Sequence, residues 1–222
     1  MVLAKIVGMV NVLWARHGQN VANLTETFSH RVFDGDLTEV GRRQAQELSD
    51  LLAPRTVDPI GLLVCSPLRR ARQTAEIVGL RLGLSVAVEL DELRELNVGA
   101  LDGRNDAQAW DSYARVLAAW RAGDSRVRFP GGEDRNELCA RLRRALSAVA
   151  CEAGGATALV VAHGANLRAA LPGLTGDPDP GTDLPTGGLA ALQVDPDSLA
   201  NVSVKLLSWP GSSQLGSTAK TT

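Results

Sequence analysis

The chain has 222 residues and a mass of 23.4 kDa, with 45% hydrophobic and 22% charged residues. That balance fits a soluble globular protein and excludes long disorder, collagen and a disulfide-stapled mini-domain; at about 150 residues per domain the length makes one domain, or one carrying an insertion. A net charge of −2 and a pI near 5.9 leave no overall basic field for nucleic acid or a membrane surface, and aromatics at 4% are too few for a single-strand stacking platform.

In chain order, residues 1–15 carry Lys5 and a short apolar run, as a signal peptide would, but Asn11 breaks the run and cleavage there would destroy the motif that follows. Residues 10–15 read as a buried strand. Thr38 reads as the N-cap of a helix with Val40, Ala45, Leu48, Leu51 and Leu52 at helical spacing until Pro54. Residues 59–65 form a second apolar strand. Ser66 and Pro67 read as N-cap and first turn of a helix with Ala71, Ala75, Val78 and Leu82 on its buried stripe, ended by Gly83. Residues 85–88 make a short strand.

Residues 91–132 are less regular, although Trp110, Tyr113, Leu117 and Trp120 keep helical spacing. A long helix starts at Glu133-Asp134, with Leu138, Leu142, Leu146 and Val149 on one face, and ends at Gly154-Gly155. Residues 157–162 are another buried strand, followed by a short helix that Pro172 stops. After a Gly-, Pro- and Asp-rich loop at 173–188 come strands at 189–194 and 202–207. The Asp177, Asp179 and Asp183 spacing does not fit a calcium loop. Residues 209–222, rich in Ser, Gly and Thr, read as a disordered tail. Strands alternating with helices predict an α/β fold: three layers, doubly wound, with a largely parallel central sheet and helices on both faces. Residues 1–208 form the single domain, with a cap-like insertion at about 96–132.

In such a sheet, ligands sit at the carboxyl ends of the strands. Chemistry-bearing groups fall there. Arg16-His17-Gly18 follows the first strand, Ser66 to Arg72 with three arginines the second, and His163-Gly164 the fourth; Leu93 to Gly99, containing Glu95, lies after the third. Two of the chain's three histidines thus end strands, each followed by a glycine that permits close backbone approach to a ligand. The three cysteines, Cys65, Cys139 and Cys151, form no CxxC pair and read as reduced thiols of a cytoplasmic protein, with no metal site.

These segments resemble the histidine phosphatase superfamily, in its phosphoglycerate-mutase-like branch. Leu13 to Asn20 is similar to the family's RHG signature, Asp36 to Gly41 with Gln44-Ala45 to its second block, and Ser66 to Ala75 to its SPLxRAxQTA block. Leu93 to Gly99 with Asp102-Gly103 resembles the LRE segment, and Val160 to Gly164 the late HG motif. The resemblance covers about residues 10–207. It implies that His17 is the nucleophile that becomes phosphohistidine, that Arg16, Arg70, His163 and Gly164 form the phosphate pocket, that Asn23 contacts phosphate, and that Glu95 is the proton donor. Arg70 rather than Arg69 matches, because it directly precedes the Ala-x-Gln-Thr-Ala stretch.

The physical logic agrees. A phosphoryl group needs in-line attack and dispersed positive charge at its equatorial oxygens. Two arginines and a histidine can supply that charge without a metal or cofactor. A nearby partly buried carboxyl can protonate the departing alkoxide and then activate water. Gln19 stands where cofactor-dependent mutases usually carry Glu, the Glu95 to Gly99 segment lacks their Glu-Arg-His-Tyr-Gly form, and the chain is shorter than typical mutases. The expectation is therefore a metal-independent phosphatase acting on a small phosphate ester. A mutase is the alternative, and a non-catalytic phosphate-binding module the reading from another class. A homodimer is a further possibility. His30, Arg31 and Phe33 are candidates for leaving-group contact against an exposed loop. Trp110, Tyr113 and Trp120 are candidates for a cap against plain core, and Arg126 and Arg128 for charge toward a polyanion against surface decoration.

Overall fold

The computed structural model describes residues 8–53, 58–176, 182–198 and 201–208. The expected tail, Pro54, Asp177, Asp179 and the first seven residues lie outside them. Residues 10–15, within the segment that resembled a leader, belong to the central strand β1 (Val10–Arg16).

Six strands form one sheet in the order β3-β2-β4-β1-β5-β6. β1, β2 (Ile60–Cys65), β3 (Val88–Glu89) and β4 (Thr157–Ala162) run parallel. β5 (Leu189–Ser198) and β6 (Asn201–Ser208) add an antiparallel hairpin at the β1 side. The sheet is mixed and mostly parallel, as the pattern predicts. The strands read as unbroken apolar runs because both faces are covered. Leu13, Ala15, Leu63, Cys65, Leu159 and Val161 pack under helices α2 (Glu39–Leu52) and α3 (Arg69–Leu82). Their alternate neighbours Val12, Trp14, Val64, Val160 and Ala162 pack on the other face, under α5 (Arg135–Ala153) and α6 (Gly164–Thr175). The short α1 (Val21–Leu24) and the peripheral α4 (Ala107–Arg121) complete the helices.

Local chemistry sets several boundaries. Thr38 caps α2, its hydroxyl accepting from the Gly41 N–H at 3.1 Å. Asp134 and Glu137 form a capping box at the start of α5. Four details differ from the sequence reading. Helix α3 begins at Arg69 with Leu68 as N-cap, so Ser66 and Pro67 precede it, and the Ser66 hydroxyl serves another partner described below. The third strand is Val88–Glu89, displaced from 85–88 because its pairing is set by β2 and not by its own pattern. Val40 and Leu51 are 38% and 67% exposed, because α2 is covered only on the side that carries Ala45, Leu48 and Leu52. Pro172 does not stop α6. The helix runs on to Thr175 and ends at Gly176 with φ of 78°, one lost N–H being offset by burial of Leu171 and Leu174.

Register places the site. Ala15 and Cys65 both pair with Val161, so β1, β2 and β4 end level with one another. The residues that follow, His17, Ser66 and His163, therefore meet at one edge.

Candidate active site

The chain leaves β1 through His17, whose N–H donates to the Ala162 carbonyl at 3.0 Å. Gly18 then passes the first turn of α2. A Cβ at Gly18 would lie 2.2 Å from the Gly41 carbonyl oxygen, and one at Gly41 would lie 2.0 Å from that of Gln19. Only paired glycines allow this crossing.

The His17 ring is buried, and its partners define its tautomer. Nδ1 is 2.7 Å from the Gly18 carbonyl oxygen, which can only accept, so Nδ1 carries the hydrogen. Nε2 accepts from Nε of Arg70 at 3.0 Å, so it carries the lone pair. Burial first, then the Arg70 and Arg16 charges, hold the imidazole pKa well below its usual value, keeping the ring neutral.

Arg70 is buried while its neighbour Arg69 turns outward to a two-pronged pair with Asp36 at 2.9 Å. Beyond His17, Arg70 donates to the Ser29 hydroxyl at 2.9 Å and the Ser29 carbonyl at 2.8 Å, and Asp34 lies 3.5 Å away. Burial pushes the Arg70 pKa down to about 10, with Glu95 and Asp34 opposing the fall. Arg16 donates from Nη1 to the Leu184 carbonyl at 2.5 Å.

The His163 ring meets the His17 ring edge to face, centroids 5.2 Å apart. Burial, then Arg70 and His17, hold its pKa well below the usual value. Its Nε2 meets the Ser66 hydroxyl at 2.8 Å, and Trp14 on β1 donates to its carbonyl at 2.9 Å. Nε of Arg16 and Nδ1 of His163 are buried without a hydrogen-bond partner in the protein. Buried polar atoms are ordinarily satisfied, so two orphans beside one nucleophilic nitrogen mark a place for oxygen ligands. Gly164 opens α6 and leaves room for Arg16, since a Cβ there would lie 2.9 Å from Cδ of Arg16.

Glu95 faces His17 and Arg70 across a cleft of about 120 Å³ whose walls include Asn23, Phe28, Trp110 and Tyr113. Oε1 of Glu95 accepts from the Asn166 N–H at 2.7 Å, in the first turn of α6, and from the Leu96 N–H at 2.8 Å. Asn23 commits its side-chain oxygen to the Asn20 N–H at 3.0 Å, in a capping box that fixes α1 beside the cleft. The structure thus brings His17, Arg16, Arg70, His163, Asn23, Glu95 and Gly164 to one edge of the sheet.

Several contributors carry no strong signal in the sequence. Arg141 makes a two-pronged, largely buried pair with Glu133 at 2.7 and 2.8 Å and donates to the carbonyls of Glu92, Arg94 and Glu95. His30 is buried and its Nδ1 meets the Glu95 carbonyl at 2.7 Å, so it holds the Glu95 backbone from inside the protein. The Asn166 side chain holds the Arg94 carbonyl at 2.9 Å. A charged residue three positions after Leu138 on the apolar face of α5 is the one clue to Arg141. Of the other candidates, Arg31 is an exposed partner of Asp91, and Arg128 is an exposed partner of Glu137. Trp120 is core, whereas Trp110 and Tyr113 pack tilted against Phe28 on the cleft wall, centroids 4.4 and 5.1 Å from it. The three cysteines are free thiols, and burial pushes Cys65 up to about 12. Among the described residues no three His, Cys, Asp or Glu side chains gather as a metal site, and no helix is long and apolar enough to cross a membrane.

The chain belongs to the histidine phosphatase superfamily, branch 1, whose family model matches residues 12–205. Among curated relatives, the GpmB protein of Erwinia tasmaniensis, described as a probable phosphoglycerate mutase, is 32% identical over 176 residues, covering 77% of each chain. Among solved structures, the mycobacterial glucosyl-3-phosphoglycerate phosphatase Rv2419c in complex with VO3 is similar with a TM-score of 0.75 and 29% identity, over 90% of this chain and 98% of that one. The alpha-ribazole phosphatase of Shigella flexneri is similar with a TM-score of 0.66 and 25% identity, over 89% and 95%.

Proposed function

We propose that the protein hydrolyses a small phosphate ester through a phosphohistidine on His17. The observation that carries this reading is the fixed lone pair on Nε2 of a buried neutral His17, beside the unpartnered Nε of Arg16 and Nδ1 of His163. As the Arg70 Nε–H turns from Nε2 to a phosphoryl oxygen, the freed Nε2 lone pair attacks phosphorus, the bond from phosphorus to the ester oxygen breaks, and that oxygen takes its proton from Glu95. The ionised Glu95 then draws a proton from water, whose oxygen attacks phosphorus. The phosphorus–nitrogen bond breaks, its electron pair returns to Nε2, and phosphate leaves. The Arg16 and Arg70 charges offset the charge that builds on the equatorial oxygens, and neutral His163 supports them with a hydrogen bond. Because Oε1 of Glu95 accepts two backbone N–H groups, Oε2 is the oxygen that carries the proton.

Hydrolysis is preferred over transfer between hydroxyls because Gln19, at the position of the mutase glutamate, is bonded to Thr38 at 2.8 Å instead of lining the cleft. Two of the similar solved structures are phosphatases, which supports the same reading. The GpmB relative keeps a mutase as the second reading. In this proposal residues 96–132 form a cap over the cleft, Asn23 and Gly164 belong to the phosphate pocket, and the chain works in the cytoplasm, where its free thiols stay reduced. A second copy of the chain as a homodimer partner is checked by the mass in solution.

The test is phosphate release from p-nitrophenyl phosphate and from sugar, glycerate and nucleotide phosphates, in chelator, by wild type and His17→Ala. The expected result is release in chelator that falls by at least about a thousandfold in His17→Ala, with acid-labile, base-stable phosphate trapped on the wild type alone. Normal turnover by His17→Ala, or abolition by chelator, overturns it. Transfer without release would favour the mutase.

A further inference from the structure

His163 is buried and neutral, so one of its ring nitrogens carries a hydrogen and the other a lone pair. Its surroundings choose between them. Nε2 lies 2.8 Å from the hydroxyl of Ser66. Ser66 directly follows β2, and its N–H donates to the Val161 carbonyl at 3.0 Å, so strand register brings it beside the end of β4. The residue is fully buried, and its Oγ accepts from the Leu68 N–H at 3.4 Å. Among the described residues the only acceptor its own O–H meets is Nε2 of His163. A buried hydroxyl hydrogen left without an acceptor is costly. Ser66 therefore donates, Nε2 holds the lone pair, and Nδ1 holds the hydrogen.

The other end of the ring agrees. His163 is the N-cap of α6 yet makes no side-chain cap bond. An N-cap side chain ordinarily accepts from the N–H of the second or third helical residue. The third is Asn166, and its N–H goes to Oε1 of Glu95 at 2.7 Å. Nδ1 is left with no hydrogen-bond partner among the described residues. A lone pair there would confront phosphoryl oxygens, which are themselves acceptors. A hydrogen there makes a donor, complementing the unpartnered Nε–H of Arg16.

We infer that Ser66 is a positioning residue: its hydroxyl fixes His163 in the Nδ1–H tautomer and so makes a neutral imidazole a hydrogen-bond donor to the phosphoryl oxygens. The tautomer follows from the contacts, while its use on phosphoryl oxygens rests on the phosphatase reading. The assignment makes the chain's three histidines alike. The hydrogen of His17 lies on Nδ1, beside the Gly18 carbonyl, and that of His30 on Nδ1, beside the Glu95 carbonyl.

The test is the NMR spectrum, at neutral pH, of protein labelled with nitrogen-15 in its histidine rings, which reports the nitrogen that carries each hydrogen. Wild type is expected to show all three rings as Nδ1–H. An Nε2–H ring that persists in both His17→Ala and His30→Gln belongs to His163 and overturns the inference. Ser66→Ala is expected to release His163 from its tautomer, so that an Nε2–H population appears. The same variant is expected to bind inorganic phosphate more weakly in calorimetry. Its kcat on p-nitrophenyl phosphate is expected to fall about a hundredfold, the scale of one lost pre-placed donor. Ser66→Thr keeps the hydroxyl and is expected to hold the wild-type tautomer and recover most of the rate. A Ser66→Ala protein that keeps the wild-type tautomer overturns the role of Ser66, and so does a changed tautomer with unchanged phosphate affinity. If Ser66→Ala does not fold, Ser66→Cys, whose thiol is a weak donor, carries the comparison with the same readouts. If wild type releases no phosphate from any ester, the phosphatase reading fails instead, and the tautomer and phosphate binding still decide the role of Ser66.

Discussion

At the scale of the residue, the site works by withholding protons from its histidines. His17 and His163 both have pKa values held well below 6.5, burial being the first cause and arginine charge the second. In the unfolded chain each titrates near 6.5. Below that pH the unfolded state binds more protons than the folded one, so stability is full above about 6.5 and is lost as pH falls toward the depressed folded values. Each histidine contributes a slope of up to about 1.4 kcal/mol per pH unit in that window. Urea midpoints measured between neutral pH and mild acid are expected to fall, and His163→Gln is expected to flatten the decline. An unchanged slope in that variant would count against neutral burial of His163. Arg70→Lys tests the same environment from the other side. A lysine cannot donate to His17 and to both Ser29 oxygens from one planar group. The expected loss in kcat is about a hundredfold, read with p-nitrophenyl phosphate.

At the scale of the element, the segment around Glu95 has no regular ladder of its own and borrows rigidity from its neighbours. Arg141 on α5 holds three of its backbone carbonyls, those of Glu92, Arg94 and Glu95, and Glu133 fixes Arg141 while also accepting from the Asn97 N–H at 2.8 Å. Breaking a buried pair from one side leaves the other charge uncompensated, at a cost of about 3–5 kcal/mol. Glu133→Ala is therefore expected to lower the urea midpoint strongly. In the surviving folded fraction, kcat is expected to fall more than KM, because Glu95 moves while the arginines around His17 stay. A variant that is destabilised yet keeps wild-type kcat would separate this pair from the placement of Glu95. The paired glycines at the β1–α2 crossing work similarly. Gly18 and Gly41 let two backbones touch where any Cβ would force them apart.

At the scale of the whole molecule, the site is assembled from β1, β2 and β4, the helices α3 and α6, and the segment around Glu95. A ligand at the cleft therefore bridges elements from both halves of the chain and should stabilise the fold as a unit. Inorganic phosphate at about a hundred times its Kd is expected to add about 2.7 kcal/mol, a rise of roughly 5–10 °C in Tm for a chain of this size. Chloride at matched ionic strength should not reproduce it. A Tm indifferent to phosphate would argue against oxygen ligands at Nε of Arg16 and Nδ1 of His163.

The amino-acid sequence by itself determined the layered α/β fold and the loops that carry the site. Buried apolar runs set β1, β2 and β4, and His17, the arginine cluster and His163 follow them directly. It also singled out Arg70 over Arg69 by its place in a motif, and the fold turns those two side chains to opposite environments, Arg70 buried and Arg69 exposed. Helical spacing alone said less. It grouped Val40 and Leu51 with the apolar positions of α2, yet both are exposed, because periodicity records which face is apolar but not how far a neighbour covers it. Only the tertiary structure decided what surrounds each group. Asn166, which donates to the Glu95 carboxylate, and Trp14, which anchors His163, lie 71 and 149 residues from them in the chain. No local pattern encodes such pairings. They arise when strand register aligns three strand ends, so the cleft and the Arg141–Glu133 brace became visible only in three dimensions.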